Sequence, residues 1–203
     1  MEEEDTRTRI LRSAEEEFLK MGFARSSLRQ IVRNAGVTTG AFYGYFPSKE
    51  ALFDALVQED YETILSMYRA VLIDFHDLPP QSQQTNMSDY TRQQMQKLTD
   101  YVYGRIPAFQ LILCASEGTR YASFIDDMAN LDVAATHSFA QSMETMGLSM
   151  KPVNPKLEHM LTSGMFSAYF ELIVHQVPRQ EADVYISQLL DFYSAGWKKI
   201  MGF

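Results

Sequence analysis

The segment between Thr38 and Tyr45 combines the residue types that a DNA-reading helix requires. Phe42 and Phe46 are four positions apart, so a helix places both rings on one inward face and turns the residues between them outward. Small or polar side chains on the outward face suit the major groove of DNA. We therefore predict DNA contacts from Thr38, Thr39, Gly40, Ala41, Tyr43, Gly44 and Tyr45.

Base discrimination in this segment depends on few groups, because Gly40 and Ala41 carry no hydrogen-bonding side chain. The candidates are the hydroxyls of Thr38, Thr39 and Tyr45, a thymine-methyl contact from Ala41, and the shape of the DNA itself. The residue types leave these alternatives open.

Two further residues are predicted to bind phosphates on either side of the groove. Lys49 falls in the first turn of a predicted long helix, where a cation opposes the helix dipole and slightly destabilises an isolated helix. A phosphate that binds at this helix end would explain its position. Ser27 begins another helix and is predicted to bind a phosphate on the opposite flank.

Charge is divided unequally along the chain, which carries a formal net charge of −8. Residues 6–49 hold eight basic and three acidic side chains, whereas residues 50–203 hold ten basic and nineteen acidic ones. A basic head on an acidic body indicates that only the head meets a polyanion. A chance asymmetry of solvated surface is the alternative.

The first fifty residues have the pattern of three short helices. Apolar residues recur at three- and four-residue spacing from Ile10 to Met21, and Gly22 ends this first helix. Ser27 and Gln30 form an S-x-x-Q capping box for the second helix, which Gly36 ends before the third begins. Short helices joined by a glycine turn predict a helix-turn-helix.

The helical pattern continues beyond this head. Helices are predicted at about residues 49–75, 89–104, 107–118, 120–147, 156–176 and 180–201. The polar tract 76–88, which contains Pro79 and Pro80, is predicted to be a loop. We therefore expect an all-α fold of about nine helices, with a helix-turn-helix domain at residues 1–48 and a larger helical bundle at residues 49–203.

The segment GVTTGAFYGYFPSKEALF, residues 36–53, resembles the recognition portion of the TetR/AcrR family of transcriptional regulators. In that family a glycine turn leads to a helix with paired aromatic residues, and the next helix opens with S-K-E. The matching positions are Phe42, Tyr43, Tyr45, Phe46, Ser48, Lys49 and Glu50. The resemblance covers residues 6–56 in motif detail and the remainder in architecture only. It implies a DNA-binding regulator, a repressor that a small molecule releases from a palindromic operator, with residues 49–203 serving ligand binding and dimerisation.

The resemblance also implies a homodimer formed by the last two helices. Between Met160 and Phe170 no residue is charged, and small residues alternate with large apolar ones. The predicted interface residues are Leu161, Gly164, Met165, Ala168, Leu189, Tyr193 and Trp197. The alternative is that both helices belong to the core of one protomer.

The family's effector chamber is expected among the aromatic and methionine residues of the middle helices, because such side chains suit varied apolar ligands. The candidates are Phe109, Leu113, Glu117, Tyr121 and Phe170, although each could be ordinary core. The effector is predicted to be an apolar or aromatic small molecule. No further cofactor is expected.

Other classes of function find little support in the sequence. The four histidines are scattered, no catalytic motif occurs, and Glu171 with His175 lacks a third metal ligand, so neither an enzyme nor a metal site is predicted. Cys114 is expected to be a buried apolar residue. A protein-interaction module whose head no longer binds DNA is the second alternative. Without a signal peptide or an apolar run of membrane length, a cytoplasmic protein is expected.

Overall fold

A computed structural model describes residues 5–148 and 150–202, apart from the side chains of residue 80 and residues 84–89. The described part is helical and contains no strand. The helices are α1 (Thr6–Met21), α2 (Leu28–Asn34), α3 (Thr39–Tyr45), α4 (Lys49–His76), α5 (Pro80–Tyr103), α6 (Ile106–Cys114), α7 (Phe124–Thr145), α8 (Pro155–Val174) and α9 (Arg179–Met201), with a 3-10 turn at Arg120–Ser123 before α7. The predicted all-α class is confirmed.

The chain forms two compact units. The first consists of the described residues up to Thr63 together with Arg105–Phe124, and the second consists of Ile64–Gly104 with the described residues from Ile125 onward. The predicted domain boundary between residues 48 and 49 coincides with the start of α4, and the first unit continues past it. The head therefore packs with a segment that lies some forty residues further along the chain.

Side-chain caps fix the ends of the first three helices. Asp5 accepts hydrogen bonds from the amides of Arg7 and Thr8 at the start of α1. The predicted bond of the capping box is present at α2, where the Ser27 hydroxyl accepts from the Gln30 amide. These local bonds satisfy amides that have no partner within the helix.

The second bond expected in that capping box, from the Ser27 amide to the Gln30 side chain, does not form, so this part of the prediction is wrong. The Ser27 amide donates to the Glu17 carboxylate at 3.0 Å, while the Gln30 side chain donates to Asn34. A charged acceptor from α1 therefore takes the place that the local pattern assigned to Gln30, and it ties the start of α2 to the preceding helix.

The two turns of the head rely on glycines in the left-handed region. Gly22 has φ of +72° at the end of α1, and Gly36 has φ of +65° between α2 and α3. A side chain at either position would strain the backbone, so glycine favours these sharp turns. The Ser13 hydroxyl is buried and donates to the Ile31 carbonyl, which joins α1 to α2 between the turns.

The prediction of a loop at residues 76–88 is wrong. Helix α5 begins at Pro80, and only residues 77–79 separate it from α4. Proline is compatible with the first turn of a helix, because its missing N–H has no acceptor there. The buried Gln83 amide group donates to the carbonyls of His76 and Leu78, both at 2.8 Å, which satisfies the last turn of α4.

The middle of the chain also differs from the expected helix bounds. Helix α6 ends at Cys114 rather than at residue 118, and a 3-10 turn at Arg120–Ser123 precedes α7. The Thr119 hydroxyl caps this turn by accepting from the Tyr121 amide. The residues between α6 and α7 are polar and include Gly118, so apolar periodicity could not place these ends.

Candidate nucleic-acid interface

Helix α3 presents one exposed face and one buried face. Phe42 is fully buried and Phe46 nearly so, whereas Tyr43 is 54% exposed and Tyr45 is 49% exposed. The remaining predicted DNA-contacting residues of this segment, namely Thr38, Thr39, Gly40, Ala41 and Gly44, are also exposed. The structure therefore brings all seven residues to the accessible side of one short helix, and their contact with DNA stays a prediction.

The orientation of α3 depends on its two phenylalanines and on its N-terminal cap. The Phe42 and Phe46 rings lie 5.9 Å apart, and the Arg7 guanidinium lies 5.7 Å from the centre of the Phe46 ring. The Thr38 hydroxyl accepts a hydrogen bond from the Ala41 amide at 3.1 Å. Because the Thr38 hydroxyl already accepts from the Ala41 amide, the adjacent Thr39 hydroxyl is the freer of the two for a base edge.

Lys49 has a structural role that the sequence did not reveal. Its ammonium group donates to the carbonyls of Phe23 and Ser26, at 2.8 and 3.3 Å, and lies 4.4 Å from the centre of the Phe23 ring. The side chain thus reaches back from the start of α4 to the turn between α1 and α2. These contacts explain a cation in the first turn of a helix without requiring a bound phosphate.

Ser27 is exposed at the start of α2, but both of its polar groups are engaged within the protein. Its hydroxyl can still donate a proton while it accepts from Gln30. A phosphate contact at Ser27 is therefore compatible with the structure and stays a prediction.

Phe23 is the functional residue of the head that sequence reasoning missed. Its amide donates to the Ala115 carbonyl at 2.7 Å, and its ring lies 5.8 Å from Phe18 and 5.4 Å from Phe53. With its carbonyl bound by Lys49, this one buried residue joins α1, α4 and the end of α6. Phe23 lies outside any helix, so no periodic pattern marked it.

The proposed effector residues divide between the two units. Phe109 and Tyr121 are buried in the first unit, where Leu113 is half-buried and Glu117 is exposed, while Phe170 is buried in the second unit. The structure therefore does not gather these five residues around one cavity within either unit. Phe109, Tyr121 and Phe170 are all core residues, which was the alternative considered for each of them.

Tyr121 is held by charged partners rather than directed toward an open space. Its hydroxyl donates to Asp54 at 2.7 Å and accepts from Arg120 at 2.9 Å, and its ring packs against Phe53 and Tyr61. Burial and the bond to Asp54 raise the pKa of Tyr121 to about 12. Arg120 lies near Asp54 and Glu62 on α4.

A cavity of about 220 Å³ lies within the second unit. Segments of α4, α5, α7, α8 and α9 line it, and its aromatic lining residues are Tyr68, Phe75, Tyr90, Phe139, Tyr193 and Trp197. The carboxyl group of Asp132 also lines it and accepts a short hydrogen bond from the Tyr68 hydroxyl. None of the five effector residues expected from the sequence lines this cavity.

The predicted dimer residues also separate into groups. Met165, Tyr193 and Trp197 line the cavity of the protomer, and Leu161 and Leu189 are half-buried. Gly164 faces the Tyr193 hydroxyl, because a Cβ atom at Gly164 would lie 3.2 Å from it. Of the seven, only Ala168 is exposed.

The large exposed apolar residues of α8 and α9 were not among those predicted. Phe192 is 73% exposed and Met160 is 68% exposed, and Val184 and Tyr185 are exposed as well. In all, seven large apolar residues of these two helices are exposed, which is unusual for a solvated surface, because isolated exposed apolar residues are common but groups of them mark interfaces. The uncharged segment from Met160 to Phe170 indicated that α8 belongs to the interface, but the sequence did not show which face of the helix is exposed.

Two smaller expectations have clear outcomes. Cys114 is exposed at the end of α6, contrary to the prediction that it is buried, because α6 ends there and turns that side chain away from the core. Glu171 and His175 form a pair at 2.8 Å, and no group of three metal-binding side chains occurs within residues 5–148 and 150–202. In the same ranges no helix is long and apolar enough to cross a membrane.

A basic helix-turn-helix joined to a helical body is the architecture of a class of bacterial transcriptional regulators, and comparison with known proteins identifies the family. A family model described as "Bacterial regulatory proteins, tetR family" matches residues 10–56. The chain is 30% identical over 142 residues to the HTH-type transcriptional regulator UidR of Escherichia coli (strain K12). That alignment covers 70% of this chain and 66% of UidR, just under two thirds of the relative's length.

Two solved structures share the fold. A transcriptional regulator of the TerR/AcrR family from Aquifex aeolicus VF5 aligns with a TM-score of 0.57 and 19% identity, over 93% of this chain and 99% of that one. GusR from Salmonella enterica aligns with a TM-score of 0.55 and 19% identity, over 98% of this chain and 96% of that one. Residues 10–56 place the head of the chain in the TetR family of bacterial regulatory proteins, and the whole chain shares the fold of these two solved regulators.

Because Lys49 binds two backbone carbonyls, its replacement is expected to destabilise the protein even without DNA. Lys49→Met keeps the apolar stem and should lower the free energy of unfolding by about 1–3 kcal/mol, since two part-buried acceptors lose a charged donor. Urea unfolding followed by circular dichroism measures the change. The control is Lys20→Met at an exposed position of α1, which should change stability by less than about 0.5 kcal/mol. Equal stability of both variants would restrict Lys49 to a role in DNA binding.

Proposed function

We propose that this protein is a cytoplasmic transcriptional repressor that binds a palindromic DNA operator as a homodimer and is released by a small molecule. The observation that carries the DNA-binding part is the exposed face of α3, with seven accessible residues above the buried Phe42 and Phe46 in a basic head. The match of residues 10–56 to the TetR family supports the same function.

Within this proposal the exposed residues of the head have different tasks. Thr39 and Tyr45 read bases or groove shape, because their hydroxyls are exposed on the outward side of α3. Ser27, Tyr43 and Lys49 bind phosphates and set the position of the head. The Lys49 ammonium has three N–H groups and uses two on backbone carbonyls, so one is left to donate to a phosphate oxygen.

The homodimer in this proposal is built on the exposed apolar residues of α8 and α9. Phe192 and Met160 are its centre, and Val184 and Tyr185 extend it. Burial of such side chains against a second copy removes them from water, with each large apolar group worth about 1.5–3 kcal/mol when fully buried. Two heads on one dimer then bind two half-sites, which multiplies the specificity of each short helix.

The cavity of the second unit is the proposed effector site. It takes the place of the set Phe109, Leu113, Glu117, Tyr121 and Phe170, none of which lines this cavity. Its aromatic lining suits the apolar or aromatic ligand expected from the sequence. Helix α4 provides a continuous path for coupling, since it begins at Lys49 and its residues from Tyr68 to Phe75 line the cavity. A ligand that favours a different position of this segment would alter the spacing of the two heads.

The DNA-binding proposal predicts preferential binding to the DNA that flanks the protein's own gene. Fluorescence polarisation should show a dissociation constant at least about 10³-fold lower than for random DNA at the same salt concentration. Thr39→Ala should weaken operator binding by about 1–3 kcal/mol per half-site and leave random DNA binding unchanged. The control Thr145→Ala removes an exposed threonine hydroxyl of α7 and should change neither. Equal, weak binding of both DNAs by the wild type would favour a protein-interaction module instead.

The dimer proposal predicts that one charge on the exposed apolar face yields monomers. Phe192→Glu places an unpaired carboxylate in the proposed interface, and light scattering should then give the mass of one chain. Ile73→Glu is the control, because Ile73 is also an exposed apolar residue but lies on α4. Gly164 is unsuitable for this test, since its replacement would first displace Tyr193 of the same protomer. A mass that is unchanged by Phe192→Glu would exclude this face as the interface.

The effector proposal predicts that a filled cavity no longer binds an apolar aromatic probe. Ala135→Phe should abolish the fluorescence increase of N-phenyl-1-naphthylamine, whereas Ala134→Phe, at the adjacent exposed position of α7, should retain it. If the site is coupled to the heads, operator DNA should weaken binding of a releasing ligand by the same factor as the ligand weakens DNA binding, about 5- to 150-fold. Normal probe binding by Ala135→Phe would place the effector site elsewhere.

A further inference from the structure

Among the described residues that line the cavity of the second unit, one is acidic, Asp132 on α7. The Tyr68 hydroxyl of α4 donates to its Oδ1 atom, which occupies one of the acceptor positions of the carboxyl group. Since the carboxyl group also lines the cavity, it is placed to accept a hydrogen bond from a ligand there. The sequence contains no signal for Asp132, because a single acidic residue in a helical segment forms no motif.

A second acid lies close to this carboxyl group. Glu158 of α8 is buried, and its Oε2 atom lies 2.9 Å from Nε2 of His137. Burial raises the pKa of Asp132, the Tyr68 bond lowers it, and the charge of Glu158 raises it. A carboxylate at Asp132 is therefore held in an environment that lacks enough positive charge to stabilise it fully.

The basic groups near the cavity do not offset this negative charge. Lys198 is the one basic side chain among the described lining residues, and it is exposed on α9. Water and salt screen such a surface charge strongly, whereas charges inside a cavity of low dielectric interact more strongly. The inner part of the cavity thus favours a positive group supplied from outside the protein.

The aromatic lining favours the same kind of ligand. The rings of Tyr68, Phe75, Tyr90, Phe139, Tyr193 and Trp197 line the same cavity as Asp132. The face of an aromatic ring carries negative electrostatic potential and attracts organic cations, most strongly when water is excluded. A ring-lined cavity with one inward carboxyl group can therefore bind both the apolar body and the positive charge of one molecule.

We propose that the effector is an organic cation, a protonated amine or quaternary nitrogen carried on an aromatic body, whose positive group binds Asp132. This inference rests on the proposed effector site and makes its ligand class more specific. The Tyr68 hydroxyl is a positioning group that orients the carboxyl group of Asp132, while the aromatic side chains hold the body of the ligand. The alternative is an anionic ligand whose negative group binds Lys198.

A matched pair of dyes tests the charge preference on the full-length protein. The cation is 4-[4-(dimethylamino)styryl]-1-methylpyridinium, and its neutral parent is 4-[4-(dimethylamino)styryl]pyridine at pH 8. Asp132→Asn should weaken binding of the cation about 10-fold or more, because the pyridinium ring, which has no N–H to donate, loses the charge–charge attraction of the carboxylate. Binding of the neutral dye should change less than about threefold, which also shows that the variant is folded.

Control variants separate the inward charge from general electrostatics. Asp126→Asn removes a carboxylate from an exposed position of the same helix and should leave binding of both dyes unchanged. Lys198→Gln removes the exposed cation and should leave binding of the cationic dye unchanged or slightly stronger. These outcomes support Asp132 as the cation-binding group.

Four other outcomes would overturn the inference. Equal losses of both dyes in Asp132→Asn would mean that Asp132 only maintains the cavity. Preference for the anion 1-anilinonaphthalene-8-sulfonate, lost in Lys198→Gln, would reverse the charge of the ligand. If the neutral dye binds and Ala135→Phe abolishes its binding, but the cation binds no better, the effector cavity stands and only the charge inference fails. If neither dye binds the wild type, the effector cavity itself is wrong.

Discussion

The structure of the DNA-binding head depends on the contacts of Phe23. Its amide donates to the Ala115 carbonyl, its own carbonyl accepts from Lys49, and its ring packs between Phe18 and Phe53. Backbone groups that are buried must find partners, and here the partners come from α4 and from the residue after α6. The turn between α1 and α2 therefore holds its conformation only when these two later segments are in place.

This constraint explains why the first unit contains Arg105–Phe124. The helix-turn-helix presents α3 from a core completed by α6 and the following 3-10 turn, where Tyr121 bonds to Asp54 and packs on Phe53. A shift of α6 would disturb the Phe23 amide and the Lys49 acceptor together. In the proposed mechanism, a ligand in the second unit acts on the head through three covalent connections, namely α4, the chain from α5 into α6, and the start of α7 after Phe124.

Much of the fold could be predicted from local signals. Apolar spacing located most of the helices, Gly22 and Gly36 marked the turns, and the alternation around Phe42 separated the buried face of α3 from the exposed one. The start of α5 was missed, because adjacent prolines and a polar tract usually indicate a loop, although Pro80 fits the first turn of a helix.

The remaining features required tertiary structure. The partners of Phe23 and Lys49 are distant in sequence, and the cavity arises from five helices whose relative packing no single pattern encodes. Large aromatic residues in the middle helices were assigned to an effector chamber, with ordinary core packing as the alternative for each. Their type alone did not distinguish core residues such as Phe109 from cavity residues such as Phe139. Residue type also did not show which side of α9 is exposed. Phe192 and Tyr193 are adjacent aromatic residues, but Phe192 is exposed and Tyr193 lines the cavity.

The central claim is that two identical heads read DNA as a symmetric pair. Selection of bound sequences from a random double-stranded DNA library by the full-length protein tests it most directly. The account predicts enrichment of an inverted repeat whose half-site centres are about 10 base pairs apart, or a multiple of this, so that both α3 helices meet the same face of the duplex. Enrichment of a single half-site without a symmetric partner, or no enrichment above the starting library, would contradict it.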